Sequence, residues 1–197
     1  MSTDLRLDAD SLALLVIDIQ ERLAAAMPDA ALERCLRANE VLIEAARELH
    51  IPVLVTEQYP KGLGPTHARL TARLDTFEAP APRLPKTEFD ALGNTEVEDA
   101  LDHLVTHDGD GAVRTLVVTG MEAHVCVYQT VRSLVGGGFA VHVPYDATCS
   151  RDLDDRRVAM DLMRAAGATV TASETVLFDL LGNSTHPSFR PLSKMLR

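Results

Sequence analysis

The run Leu116-Val117-Val118-Thr119-Gly120-Met121-Glu122-Ala123-His124-Val125-Cys126-Val127-Tyr128-Gln129-Thr130 changes its periodicity at a glycine. Before Gly120 it is apolar and β-branched; after it, Val127, Thr130, Val131, Leu134 and Val135 recur at helical spacing. The pattern predicts a strand, a tight turn and a helix. Cys126 falls at the first turn of that helix, where unpaired backbone N–H groups and the helix dipole favour a thiolate over a thiol. A cysteine so placed is a candidate nucleophile. Free cysteines are also among the most buried residues, so plain packing stands beside chemistry as a reading of this position.

Toward the N-terminus, Leu12 to Ile17 is a continuous apolar run, the pattern of a central parallel strand buried on both faces. It ends at Asp18, which places a carboxylate at the strand end where ligands bind in open α/β sheets. From Asp29 to His50, leucines and other apolar residues recur in steps of three and four between charged ones, predicting an amphipathic helix with Cys35 on its buried face. Val53 to Thr56 reads as the next strand, and right-handed crossover completes a βαβ unit. The stretch Glu57 to Thr66 carries Pro60, Gly62, Gly64 and Pro65 and reads as a shaped loop without a regular element. Pro80, Pro82 and Pro85 make Ala79 to Pro85 an extended connector, after which Lys86 follows at once.

Toward the C-terminus, a helix is expected from Thr95 to Val105, with Asn94 or Thr95 as its cap. His103 and His107 lie four apart but lack the glutamate of a zinc-hydrolase helix, so they read as solvent-facing. Phe139 to Val143 and Ala168 to Thr171 read as strands flanking a helix from Asp152 to Ala166 that stops at Gly167. Cys149 reads as structural. Alternation of about six strands with helices predicts a parallel sheet covered on both faces, in one domain over residues 1–197.

The bulk properties exclude several classes. Lys and Arg number 19 against 29 Asp and Glu, a net charge of −10 with no basic cluster, which argues against nucleic acid and against an anionic membrane surface as partners. No apolar run has the length of a membrane span, and Met1 to Leu7 lacks the order of a secretory signal. Three widely spaced cysteines make neither a disulfide framework nor a zinc ribbon, so a cytoplasmic protein is expected.

Asp18, Lys86 and Cys126 then have one common explanation. The pieces Val16-Ile17-Asp18-Ile19-Gln20, Pro85-Lys86-Thr87 and Gly120-Met121-Glu122-Ala123-His124-Val125-Cys126-Val127, in this order, resemble the isochorismatase-like cysteine hydrolases. Three further stretches, Thr56 to Thr66, Asp146 to Arg151 and Leu181 to Pro187, look most like the isochorismatase domain-containing subgroup. The resemblance implies a three-layer α/β/α, Rossmann-like fold with a six-stranded parallel sheet of order 3-2-1-4-5-6. It implies an Asp18-Lys86-Cys126 triad, an oxyanion hole from the backbone N–H groups of Glu122 and Cys126, and a cis peptide at Met121–Glu122. A homo-oligomer and a small-molecule substrate are also implied, with no cofactor. Nicotinamidases of the superfamily hold a metal with an Asp-x-His motif and a further histidine; Thr56-Glu57-Gln58-Tyr59 stands in that place, so no metal is expected. Isochorismatases in the strict sense lack the nucleophilic cysteine, which Cys126 supplies here.

The chemistry so implied is attack by Cys126 on an amide, carbamoyl or related acyl carbon, with Asp18 moving the proton and Lys86 stabilising the ionised pair. Leu23 and Tyr59, placed near the same sheet edge, are candidate pocket walls. Two rivals remain at this level: a small-molecule binding protein of the same fold without turnover, and a thiol redox protein in which Cys149 resolves an oxidised Cys126.

Overall fold

A computed structural model describes residues 5–106 and 113–196. In chain order the elements are β1 (Leu12–Ile17), α1 (Glu21–Ala24), α2 (Asp29–Glu48), β2 (Val53–Gln58), α3 (Pro60–Leu63), α4 (Ala68–Leu74), β3 (Arg83–Lys86) and α5 (Thr95–Thr106). There follow β4 (Thr115–Met121), α6 (Tyr128–Gly136), β5 (Ala140–Pro144), β6 (Thr148–Cys149), α7 (Leu153–Ala166), β7 (Thr169–Thr171), α8 (Ser173–Leu181) and α9 (Phe189–Lys194). His107 lies outside the described residues, whereas His103 is exposed on α5.

The sheet is parallel throughout and runs β3-β2-β1-β4-β5-β7, with the two-residue β6 added beside the end of β4. The expected order therefore holds, with one short strand more than expected. That strand forms because β5 pairs only with the first part of β4, leaving Gly120 and Met121 to pair with Thr148 and Cys149.

Strand β1 divides the core by its alternation. Leu12, Leu14 and Val16 pack toward the buried face of α2, with Cys35, Leu36, Leu42 and Ile43. Ala13, Leu15 and Ile17 point the other way, onto Val131 and Leu134 of α6 and Ala159 and Met163 of α7. Each such leucine or isoleucine contributes roughly 1.5–3 kcal/mol of burial. The two C-terminal helices dock on the back of α2, with Leu177, Leu181 and Leu192 against Val41 and Ala45.

Two expectations need correction. The proline-rich connector ends as a strand, because an edge position asks nothing of the missing proline N–H groups. The Pro82 and Lys86 carbonyls accept from the N–H groups of Val55 on β2 and of Tyr59 just after it. The stretch Glu57 to Thr66 is not irregular throughout: β2 continues to Gln58 and a short helix, α3, opens with Pro60 in its first turn.

Candidate active site

The crevice lies where the chain leaves β1 in one direction and β4 in the other, at the carboxyl ends of the strands. Asp18 follows β1 with a left-handed backbone, φ 52°, a conformation uncommon outside glycine that turns its side chain out of the strand's alternation. Its carboxylate is fully buried. One oxygen accepts from Lys86 Nζ at 2.6 Å and the other from Thr56 Oγ1 at 2.7 Å. Lys86, at the end of β3, is as completely buried and donates also to Gln58 Oε1 at 2.6 Å and to the Glu88 carbonyl at 3.1 Å. All three ammonium protons thus have acceptors, which is the condition for keeping such a pair charged out of water.

Gln58 is itself held. Its N–H donates to Gln20 Oε1 at 2.8 Å, Gln20 Nε2 returns to the Gln58 carbonyl, and Gln58 Nε2 donates to the Thr87 carbonyl. The Gln58 side-chain oxygen is therefore spent on Lys86. Among the described residues no group of three or more His, Cys, Asp or Glu side chains could hold a metal ion.

Cys126 enters from the other side. Gly120, with φ 133°, lets β4 close on β1: a Cβ there would sit 2.0 Å from the Ile17 carbonyl oxygen. The Met121–Glu122 peptide is cis. Cys126 then lies on one wide π-helical turn, Ala123–Val127, and not on the first turn of a regular helix; α6 begins only at Tyr128. Val125 and Val127 donate to the Glu122 carbonyl on either side of the Cys126 N–H. The residue is 5% exposed. Asp18 and Lys86 both lie close enough to act on its charge, in opposite directions.

The expectation that the helix start would favour a thiolate is overturned. Burial pushes the Cys126 thiol up to about 12, the Asp18 charge adds to the rise, and Lys86 opposes it. The resting site is a neutral thiol beside an ion pair. Cys35 and Cys149 are also raised by burial, and both are inaccessible core residues; Cys35 Sγ donates to the Ala147 carbonyl.

Of the two candidate pocket walls, Tyr59 is 55% exposed and lines a cleft of about 350 Å³ with Pro60, Lys61, Lys86, Thr87 and Asn94. Leu23 is half-buried and packs on the core beside β1. Sequence reasoning did not single out Thr56 or Gln58 as individual contributors. Each lay within a quoted motif, yet their roles depend on contacts between distant strands. Asp146, at the end of β5, serves α8: its carboxylate accepts from the Ser173 N–H and hydroxyl.

The fold and this crevice define a member of the isochorismatase-type α/β proteins. The isochorismatase domain model matches residues 12–175, and the chain belongs to that family. Among its relatives, isochorismatase domain-containing protein 2 of Xenopus laevis is 39% identical over 79% of this chain and 69% of its own length. Isochorismatase domain-containing protein 1 of Salmo salar is 38% identical over 82% of this chain. The match spans 53% of that relative, so the chain accounts for about half its length. A solved structure described as the MAR1 ribonuclease of Caenorhabditis elegans superposes with a TM-score of 0.84 at 37% identity, covering 97% of this chain and 92% of that one. The ycaC gene product of Escherichia coli, described as an octameric hydrolase of unknown specificity, shares the fold at 22% identity and a TM-score of 0.80 over 100% of this chain and 98% of that one.

Proposed function

We propose that the protein is a cysteine hydrolase acting on a small amide, carbamoyl or related acyl compound, with Asp18, Lys86 and Cys126 as its triad. The observation that carries this reading is the Asp18 carboxylate, held between Lys86 Nζ at 2.6 Å and Thr56 Oγ1 at 2.7 Å beside the Cys126 thiol.

A thiol pushed up to about 12 supplies almost no free thiolate at neutral pH, so proton removal must accompany attack. Asp18 takes the proton as Sγ bonds to the substrate carbon, and the carbonyl π electrons move to oxygen. The N–H groups of Glu122 and Cys126 receive that oxyanion, where loss of one such donor typically costs about 3 kcal/mol. The tetrahedral species collapses to a thioester as Asp18 returns the proton to the leaving amine. Water then attacks, again yielding a proton to Asp18, and the acid leaves as the thiol is restored. Lys86 keeps its proton and balances the carboxylate throughout. Tyr59 and Leu23 serve as walls, and the pocket is completed in a homo-oligomer, a reading in keeping with the octameric fold relative.

A ribonuclease reading, suggested by the names of three solved relatives, is disfavoured by the net charge of −10 and by a Cys126 only 5% exposed. Phosphate backbones are held by cationic surfaces. Among the described residues no helix is long and apolar enough to cross a membrane.

The test is a screen of small primary amides, carbamates and ureas for amine or ammonia release, with rapid quenching and peptide mass analysis of Cys126. The expected result is turnover that is absent in Cys126→Ala and an acyl adduct on Cys126 alone. Turnover that survives Cys126→Ala would sink the covalent mechanism, and ligand binding without turnover across the screen would favour the silent binding protein.

A further inference from the structure

The turn that carries Cys126 is tied from outside by a single segment, β6 and the residues after it. Arg151 donates its backbone N–H to Glu122 Oε2 at 3.0 Å, and its Nε to both Glu122 oxygens at 3.0 and 3.1 Å. Two residues farther along the turn, His124 Nδ1 meets Ser150 Oγ at 3.1 Å, with Asp155 Oδ2 3.6 Å from Nε2. The backbone ladder of β6 on Gly120 and Met121 holds the base of the turn.

The asymmetry of this latch is informative. The Glu122 side chain is 7% exposed, whereas that of Arg151 is 62% exposed. A carboxylate taken out of water needs paired donors, and a hydrophobic side chain would fill the same space without that demand. What the charged pair adds is orientation: one guanidinium Nε–H shared between both carboxylate oxygens, together with a backbone N–H, holds the carboxylate in place. Glu122 is also the residue whose own N–H faces the crevice chemistry in the reading above.

Resting on that reading, we propose that Arg151 is a positioning residue for the oxyanion hole: through the Glu122 carboxylate it sets the direction of the Glu122 N–H. The charge partners of Arg151 are Glu122 and, beyond it, Asp155, so the latch works apart from the Asp18–Lys86 pair. Its loss is felt by reactions that place charge on an acyl oxygen, and not by reactions that only need the sulfur.

Two small electrophiles separate these cases. Addition of Cys126 to acrylamide forms the S–C bond and pushes the alkene electrons onto the amide oxygen, and the resulting enolate then takes a proton at carbon. Methyl iodide forms an S–CH3 bond and releases iodide while the thiol proton passes to Asp18, with no charge placed on a substrate oxygen. Second-order rates at Cys126 would be measured for both reagents by peptide mass in the parent, Arg151→Met, Arg151→Lys and Glu122→Gln proteins. In Arg151→Met the acrylamide rate is expected to fall about tenfold, while the methyl iodide rate stays within about twofold. Arg151→Lys keeps the charge without the Nε–H shared by the two oxygens and is expected to fall between parent and Arg151→Met, and Glu122→Gln should resemble Arg151→Met. Rates that fall together for both reagents, or an unchanged acrylamide rate in both Arg151→Met and Glu122→Gln, would overturn the positioning role. A parent Cys126 that adds acrylamide no faster than a free thiol would instead overturn the nucleophile reading beneath it, and the role of Arg151 with it.

Discussion

The two sides of the crevice are built by different means. On the β1–β3 side, side chains converge: Thr56 and Lys86 from two neighbouring strands close on one carboxylate, and Gln58 holds Lys86. On the β4–β6 side, the backbone does the shaping, through a glycine against Ile17, a wide turn and a strand of two residues. The acid–base half must hold charges in a dry place and so needs every donor matched. The nucleophile half must aim one sulfur and two N–H groups, which is a matter of chain direction. Substitutions should therefore act differently on the two sides, through sterics on one and through unpaired charge on the other.

The largest effect is expected on the backbone side. Gly120→Ala puts a methyl 2.0 Å from the Ile17 carbonyl oxygen at a φ of 133°, so the strands must part. A loss of more than about 4 kcal/mol is expected in urea unfolding. A loss below about 1 kcal/mol would show that the close approach of β4 to β1 is dispensable. Across the crevice, Lys86→Met leaves the Asp18 carboxylate buried without its cation, and the expected loss of stability is about 3–5 kcal/mol near neutral pH. That loss should shrink as acid protonates the stranded carboxylate, which distinguishes it from a packing defect.

Smaller effects sharpen the contrast. Thr56→Val keeps the shape but removes the donor to Asp18 Oδ1, for about 2 kcal/mol by the same unfolding measurement. The thiol adds a pH dependence of its own. With Cys126 raised from 9.0 to about 12 in the fold, its contribution is complete below pH 9 and is lost as pH rises toward 12. Cys126→Ala should flatten that part of the alkaline stability curve. Smallest is Asn94→Ala, which removes the side-chain acceptor for the Val97 N–H at the start of α5, for about 1 kcal/mol.

Sequence was informative wherever a local pattern carried the outcome. The apolar run of β1, the three- and four-residue steps of α2 and the stop of α7 at Gly167, with φ 107°, all lie where periodicity and end signals placed them. Asp18 was legible because a charge follows directly on a buried strand. Lys86 was legible only through resemblance, since a lone lysine after prolines reads as solvated. What stayed hidden depends on neighbours distant in sequence. Edge strand β3 exists because β2 offers N–H groups to proline-rich carbonyls, and β6 exists because β5 leaves the end of β4 unpaired. The protonation of Cys126 was misjudged for the same reason: the local helix start argues for a thiolate, while burial and the Asp18 charge, brought from across the sheet, argue against it.

The central claim is that Asp18 removes the thiol proton as Cys126 reacts. The most direct test is the rate of acrylamide addition at Cys126 from pH 6 to pH 10 in the parent and Asp18→Asn proteins. The account predicts a nearly level profile in the parent and, in Asp18→Asn, a rate about a hundredfold lower at pH 7 that climbs with pH as free thiolate forms. A parent rate that itself climbs about tenfold per pH unit, or an Asp18→Asn profile that overlays the parent, would contradict it.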